Sequence, residues 1–434
     1  MLRRFVISAA VIPLCLPGAA LAQTANDPAN EQACEAGTGQ QAQLRALENA
    51  LTRNYVFPAN VPQVMAAVRD AADMGRYDNV EKGAFAERLA EDLVEATGDP
   101  HFAVGIMQPE QEDVSEVPEL NDPSINYGFQ AVQLLPGNIG YLRFDNFSEP
   151  DAAYQTATSA LKLLENADGL IIDLRYNNGG HNELGQFIAS HLFSTEEDHL
   201  FVSYYYNKNG SRIERGQWAL SAVPGRRHPD MPVHILTSNV TFSAAEWMTH
   251  SLQELGRVTV IGGQTAGGGH PVERFALCDD LYVQVPIGEL RGPNGGEFEG
   301  VGVAPDIAVP SYRALRVSHL RMLEGLGNSA PSIPRDWAIA EARAAIEGVD
   351  VSDSWLQSAA GEYSGRELVF ADSGLNYRWA DRFELRLTPL SERLFLVEGT
   401  DSYRIELLGE GTSVTGIARV FADGTRQVYE RSRE

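Results

Sequence analysis

The spacing of apolar positions changes character along the chain, and each change predicts a different kind of element. From Ala42 to about Thr97 the spacing is helical: Leu44, Leu47 and Leu51 share one face, Val64, Val68 and Ala71 repeat it, and Leu89, Leu93 and Val94 repeat it again. Tyr55-Val56-Phe57-Pro58 separates the first helix from the second, and Gly98-Asp99-Pro100-His101-Phe102 ends the run in a turn. With the acidic, Pro-containing stretch at 108–124, this predicts an N-terminal helical domain and linker over 23–125.

From about Asn126 the texture is α/β, and it holds to about residue 350. Phe129–Leu135 and Ile139–Phe144 flank Pro136-Gly137-Asn138, a hairpin signal. A helical pattern over 151–165 precedes the apolar run Gly169-Leu170-Ile171-Ile172-Asp173, short enough for a buried strand. Leu184, Phe187, Ile188 and Leu192 mark the next helix, 200–206 the next strand, and 281–286 a further alternating strand. Pro305-Asp306-Ile307 closes the core, and a helix over about 337–346 follows a Pro-containing linker. Beyond Trp355 come short alternating segments at 367–371, 376–379, 384–387, 394–398, 402–408 and 414–421, separated by Gly, Asp and Ser turns. They predict a small antiparallel β-domain over 351–434, a barrel or a sandwich.

Within the core, three apolar runs lead into loops of small residues. Asp173-Leu174-Arg175 runs into Tyr176-Asn177-Asn178-Gly179-Gly180, and Pro232-Val233-His234-Ile235-Leu236 into Thr237-Ser238-Asn239-Val240-Thr241-Phe242-Ser243. Val258-Thr259-Val260-Ile261 runs into Gly262-Gly263-Gln264-Thr265-Ala266-Gly267-Gly268-Gly269-His270. Active sites of open α/β sheets gather at such strand ends. Ala244, Met248, Leu252 and Leu255 recur at helical spacing, so Ser243 stands at a strand-to-helix hinge. A serine there is ordinarily an N-cap. It is also where the first helical N–H groups, which lack intrahelical partners, could hold an oxyanion.

As an ordered set, Asp173-Leu174-Arg175-x-Asn177-x-Gly179-Gly180, Phe242-Ser243-Ala244-Ala245-Glu246, Thr265-Ala266-Gly267-Gly268 and Gly302-Val303-x-Pro305-Asp306 resemble the motifs of the tail-specific (C-terminal processing), S41-type serine peptidases. Within that family the chain most resembles the branch of interphotoreceptor retinoid-binding protein and the tricorn core. The resemblance spans most of residues 40–325. It implies a crotonase/ClpP-like core of ββα units with Ser243 as nucleophile. Processing-type members draw a lysine base from the Gly-rich loop, but Gly268 stands where it would be expected. The His-using members supply a histidine upstream and a carboxylate downstream, which His101 and Glu299 match; Glu297 and His270 are the nearby competitors. Pro100 occupies the place of the serine that precedes the histidine in tricorn-like members.

The same resemblance implies an oxyanion hole of backbone N–H groups from Ala244 and from Gly179 or Gly180. Asp173 and Arg175 read as a structural pair holding the Asn-Gly-Gly loop, and Glu246 as a carboxylate favoured by the helix dipole. Tyr204, Tyr205, Tyr206 and Trp218 read either as a substrate groove or as a plain strand and rim. The stretch between His101 and the first core strand is too short for the PDZ domain that processing-type members carry, so the resemblance is to a branch without one.

Composition narrows the setting. A hydrophobic content of 44% over 434 residues is ample for a real core in more than one domain. Residues 1–22 read as a secretory signal peptide: Arg3 and Arg4, an apolar stretch from Phe5 to Leu16, and Ala20-Leu21-Ala22 as the cleavage site. Cleavage would take the formal net charge from −25 to −27, because Arg3 and Arg4 are lost, which argues against nucleic acid or anionic membrane as partners. No later stretch suits a membrane span. Of three cysteines one lies in the signal, leaving Cys34 and Cys278 as a disulfide or as two lone thiols.

The expectation is an exported, periplasmic or secreted, serine-type peptidase acting on peptide or protein substrates with Ser243, His101 and Glu299. It needs no cofactor or metal, and its oligomeric state is open. The alternatives are a non-catalytic carrier of apolar ligands on the same fold and a serine hydrolase of non-peptide esters.

Overall fold

The computed structural model describes Cys34 and residues 39–107, 121–208, 210–329, 331–379, 383–411 and 413–432. The expected signal peptide and most of the acidic linker lie outside the described residues. Three helices open the fold: α1 (Gln40–Asn54), α2 (Val61–Asp73) and α3 (Lys82–Thr97). The last of these stops at Gly98, whose left-handed φ of 73° lets its N–H reach back to the Val94 carbonyl.

Their apolar faces do not close on one another alone. They pack on an antiparallel sheet ordered β1 (Ala103–Ile106), β10 (Leu281–Pro286), β9 (Val272–Ala276). Phe275, Leu277, Leu281, Val283 and Val285 share one buried cluster with Leu47, Leu51, Met65, Leu89 and Leu93. So the alternating strand at 281–286 serves as floor to the N-terminal helices rather than as a strand of the central sheet. Cys34 and Cys278 form a disulfide across 244 residues of sequence and tie the N-terminal segment to this floor.

The central sheet has six strands ordered β12-β8-β7-β4-β3-β2: β2 (Phe129–Leu135), β3 (Ile139–Phe144), β4 (Gly169–Asp173), β7 (Val233–Thr237), β8 (Thr259–Gly262) and β12 (Ile307–Ala308). Only the edge strand β2 is antiparallel. Alternation sends Leu170 and Ile172 to one face and Ile171 to the other. On the first face lie α4 (Asp151–Leu163), α5 (Asn182–Ser190) and α6 (Ala244–Glu254), which contribute Ala157, Ile188 and Met248 to the core. On the second lie α7 (Ser311–Ser329) and α8 (Ile333–Glu347), contributing Ala314, Met322 and Ala338. Burial on both faces is why β4 reads as an unbroken apolar run.

Helix α7 was not anticipated. Its inward row includes fully buried Ser318, whose Oγ lies 2.9 Å from His234 Nδ1, so the apolar period is diluted where it matters. A second small sheet, β11-β5-β6, is built from β5 (Leu200–Lys208), β6 (Ser211–Trp218) and β11 (Gly288–Arg291). Strand β6 is mostly exposed and carries no apolar signature.

The C-terminal region holds eight consecutive antiparallel strands, β13 (Gly361–Tyr363), β14 (Arg366–Ala371), β15 (Gly374–Trp379), β16 (Phe383–Pro389), β17 (Leu394–Val397), β18 (Tyr403–Leu408), β19 (Gly416–Phe421) and β20 (Arg426–Glu430). Tyr363 bridges to Arg431, and the Ser432 N–H donates to the Glu362 carbonyl at 2.8 Å, so the last strand meets the first. Of the two architectures the sequence allowed, the chain adopts the barrel, closed where these two ends meet. It rests on α8 through Trp337, Ala418 and Val420, with Arg404 paired to Glu341. Among the described residues no helix is long and apolar enough to cross a membrane.

Candidate active site

Parallel strands β4, β7 and β8 end on the same edge of the central sheet, which brings the three small-residue loops together. Hydrogen bonds then lock loop to loop. Thr241 Oγ1 donates to the Leu174 carbonyl at 2.8 Å and Ser238 Oγ to the Arg175 carbonyl at 2.5 Å. The Phe242 N–H donates to the Asn177 carbonyl, and the Ala266 N–H to the Thr241 carbonyl, each at 3.1 Å. Arg175 grips Asp173 through Nε and Nη2 and reaches the Ser311 carbonyl at 2.7 Å, the structural pairing the sequence suggested.

Ser243 sits at φ 53° and ψ −119°, a backbone region a non-glycine residue rarely adopts. The turn is held from behind: the Ser243 N–H donates to Glu246 Oε2 at 2.9 Å. Ala244 is the first residue of α6, so its N–H has no partner one turn earlier. Gly179, at φ 97°, passes so close that an added Cβ would lie 2.7 Å from Ser243 Cβ and 3.0 Å from the Ala244 nitrogen. Only glycine permits that approach. The Gly179 N–H is occupied, donating to Asn177 Oδ1 at 2.8 Å, whereas the Gly180 N–H makes no such bond among the described residues. Of the two glycines named from sequence, Gly180 therefore keeps the available donor.

The turn at the end of α3 brings Asp99 and His101 up to His270 of the Gly-rich loop and to Glu299, a cluster of two histidines and two carboxylates. His101 Nδ1 lies 2.9 Å from Asp99 Oδ1 and 3.3 Å from Glu299 Oε1. Asp99 Oδ2 lies 2.9 Å from His270 Nδ1, so one buried carboxylate bridges both imidazoles. Glu299 Oε2 accepts the Gly269 N–H at 2.6 Å. The His101 ring lies nearly parallel to Phe242, next to Ser243, with centroids 6.4 Å apart and planes at 18°. His270 instead packs edge-on against Phe57 of the helical region. Glu297, the competing carboxylate, pairs with Arg291 at 2.6 Å.

Burial pushes the Asp99 carboxyl up, but hydrogen bonds from His101 and His270 outweigh it and hold Asp99 well below the usual carboxylate range. For His270, burial disfavours the charged form, yet the Asp99 hydrogen bond and the charges of Glu299 and Asp99 raise it above the ordinary imidazole value. Asp99, which the sequence reading placed in this turn without giving it a role, is a further candidate site residue. Its two-residue spacing from His101 matches an Asx-type turn, since its Oδ1 also accepts the His101 backbone N–H at 2.9 Å.

Glu246 does more than favour the helix dipole. Fully buried, it accepts the N–H groups of Ser243, Gly267 and Gly268 and the hydroxyl of Thr265. It thereby clamps the Gly-rich loop to the nucleophile turn; burial raises its pKa against the opposing pull of those bonds. The Ser-x-x-Glu spacing of a capping box was the signal available for it.

Ligand atoms of Asp99, His101, His270 and Glu299 lie within 4.8 Å of one another, a mixed N/O set able to hold a cation, which the sequence did not suggest. Beside Gly180 a cleft of about 1030 Å³ is lined by His181, Tyr204, Tyr205, Tyr206, Arg215 and Trp218. The aromatic residues of β5 and β6 thus face a groove that begins at the candidate oxyanion loop.

Residues 138–309 match the sequence profile described as peptidase family S41, and residues 35–130 that of the N-terminal domain of Peptidase_S41 in eukaryotic IRBP. The carboxyl-terminal-processing protease of a Synechocystis species is 33% identical over 177 residues, 40% of this chain and 39% of that protein. Carboxy-terminal processing protease CtpB of Bacillus subtilis is 26% identical over 179 residues, 40% of this chain and 35% of its own length. The chain therefore spans well under half of these relatives. A solved photosystem II D1 C-terminal processing protease superposes with a TM-score of 0.45 at 16% identity, covering 64% of this chain and 94% of that one. With the two profiles lying in order over the helical region and the central sheet, the chain belongs to peptidase family S41.

Proposed function

We propose that this protein is a serine-type peptidase hydrolysing bonds in peptide or protein substrates. The observation that carries this reading is the strained Ser243 at the start of α6, flanked by the Ala244 N–H and the closely packed Gly179-Gly180 backbone. Substrate lies in the aromatic cleft with its scissile carbonyl over that turn. His101, its Nδ1 engaged by Asp99 and Glu299, has Nε2 left to take the proton of the Ser243 hydroxyl. Ser243 Oγ attacks the carbonyl carbon, and the oxyanion is held by the Ala244 and Gly180 N–H groups. His101 then returns the proton to the departing amine, and a water activated by the same imidazole releases the acyl group. Asp99 and Glu299 stabilise the imidazolium formed on the way. Gly179 contributes its backbone fit rather than its N–H.

The deciding experiment is labelling of the mature protein by a fluorophosphonate probe beside Ser243→Ala, His101→Ala and His270→Ala, each checked for folding. Labelling lost in the Ser243 and His101 variants and kept in His270→Ala is the expected result. Labelling kept in a folded Ser243→Ala would overturn the nucleophile. No labelling of the wild type, with an apolar ligand co-purifying, would point instead to the carrier function; ester turnover without peptide cleavage would point to the esterase.

Export to the periplasm or beyond belongs to the same proposal. It rests on the pattern of residues 1–22 and on the Cys34–Cys278 disulfide, which an oxidising compartment favours. Recovery of the disulfide-bonded protein from the cytoplasm with residues 1–22 intact would count against it.

A further inference from the structure

The C-terminal barrel has two unlike ends. Toward the end holding the β14–β15 and β16–β17 turns its interior is aliphatic and aromatic, with Leu375, Leu387, Phe395 and Leu407 in one cluster. Helix α9 (Asp353–Ala359) adds Leu356 and Ala359 to that cluster and plugs this end. Toward the other end the inward positions change chemistry. Strand alternation points Arg366 and Leu368 the same way, and the register sets Arg366 opposite Trp379 and Leu368 opposite Tyr377. Across the barrel Ile405 stands opposite Arg419, Tyr403 opposite Phe421, and Ile417 opposite Tyr429.

The two arginines converge. The Arg366 guanidinium lies 5.0 Å from the Tyr429 ring centre, and that of Arg419 lies 4.0 Å from that of Tyr403. Tyr377 feels both: burial raises its phenol to about 12 and the two guanidinium charges oppose the rise. Three buried polar atoms here, Arg366 Nε, Arg419 Nε and Tyr377 Oη, have no hydrogen-bond partner among the described residues. Among the described residues neither guanidinium has a carboxylate; their hydrogen bonds go to the Gly365 carbonyl at 3.2 Å and to Gln427 Oε1 at 3.5 Å. Elsewhere on the same barrel Arg378 pairs with Glu367 and Glu384, Arg404 with Glu341 and Arg426 with Glu406. A chain with 59 acidic residues against 34 basic ones does not lack carboxylates to offer. Buried donors left open are costly unless something fills them.

We propose that this end of the barrel is a binding site for an organic carboxylate carried on an apolar or aromatic group. The planar guanidinium forks match a carboxylate in shape and charge. The phenol of Tyr377 supplies a further donor, and the rings of Trp379, Tyr403 and Tyr429, which stand against the two guanidinium groups, would meet the apolar part. The carboxylate could belong to a small free acid or to the end of a peptide; the chemistry at the site is the same. The inference is independent of the assignment of Ser243.

The test uses the full mature chain carrying Ser243→Ala, so that no probe is turned over, with calorimetry as readout. Probes are N-acetylphenylalanine, its amide, acetate, and a short peptide ending in phenylalanine with a free or an amidated C-terminus. The acid should bind at least roughly tenfold more tightly than the amide and than acetate. Arg366→Gln and Arg419→Gln should each weaken it roughly tenfold, and Tyr377→Phe, which keeps the packing, about threefold. Binding of the free-ended peptide as well would assign a chain end as occupant; restriction to the small acid would assign a free metabolite. Equal binding of acid and amide, no binding at about 1 mM, or affinity unchanged in folded Tyr377→Phe and both arginine variants would overturn the proposal.

Discussion

The loops around Ser243 and one end of the C-terminal barrel hold charge in opposite ways. In the first, Asp173, Asp99 and Glu246 are all buried and every one is surrounded by donors: a guanidinium, two imidazoles, or three backbone N–H groups and a hydroxyl. In the second, Arg366 and Arg419 face inward with donors unspent. A saturated buried charge is a fastener, because removing it orphans everything it holds. An unsaturated one can be removed with little consequence for the fold, and it leaves room for something from outside.

That contrast can be tested most sharply at the Ser243 turn. Ser243→Ala should lower peptide hydrolysis by about 10⁴-fold or more while leaving the melting temperature within a degree or so, because Ser243 fastens little with its side chain. His101→Ala should cost about 10³-fold in kcat, and His270→Ala less than about tenfold, since only His101 meets Glu299 closely and lies along Phe242. Equal losses from the two histidines would break the assignment of the base.

Stability measurements come next in size. Removing the Cys34–Cys278 bridge by a double serine substitution should cost about 4 kcal/mol in urea denaturation, given the length of chain it closes. Glu246→Ala, which strands three backbone N–H groups, should cost about 3 kcal/mol. Arg366→Ala should cost less than about 1 kcal/mol, as it leaves no carboxylate unpaired among the described residues. If the last two values came out alike, the distinction between fastened and open charge would fail.

The smallest effect is in the pH dependence. His270 has a raised pKa in the folded state, so its contribution is complete below the ordinary value of 6.5 and is lost as pH rises through the folded value. Asp99 has a lowered pKa, so its contribution is present above the ordinary 3.8 and is lost only as pH falls toward the folded value. The melting temperature should therefore be flat between about pH 5 and 6.5 and decline on the alkaline side. His270→Ala should flatten that alkaline decline; an unchanged profile would remove His270 from the Asp99 linkage.

Much of this was readable in one dimension, and the reason is local. Strand β4 is an unbroken apolar run because both its faces are covered, and Ser243 shows itself because a strand, a serine and a helix follow one another directly. The eight-stranded region declared itself through period-two alternation and turn residues. The helical faces of α1 to α3 were equally plain.

Other features depend on residues distant in sequence and had no local signal. That 281–286 would floor the helical region follows from its pairing with β1, where Gln284 stands opposite Ala103, and not from its own alternation. Asp99 bridging His101 and His270 required the α3 turn and the Gly-rich loop to meet. The choice between Gly179 and Gly180 turned on a single Asn177 side chain, and the choice of a barrel on the pairing of Tyr363 with Arg431. What the sequence determined by itself were the elements, their periods and the types of residue at each strand end, all set by interactions within a few residues. Which donors remain free, which carboxylates are shared and which arginines go unpaired were decided only by tertiary structure, because hydrogen bonding and desolvation are settled between segments that chain order keeps apart.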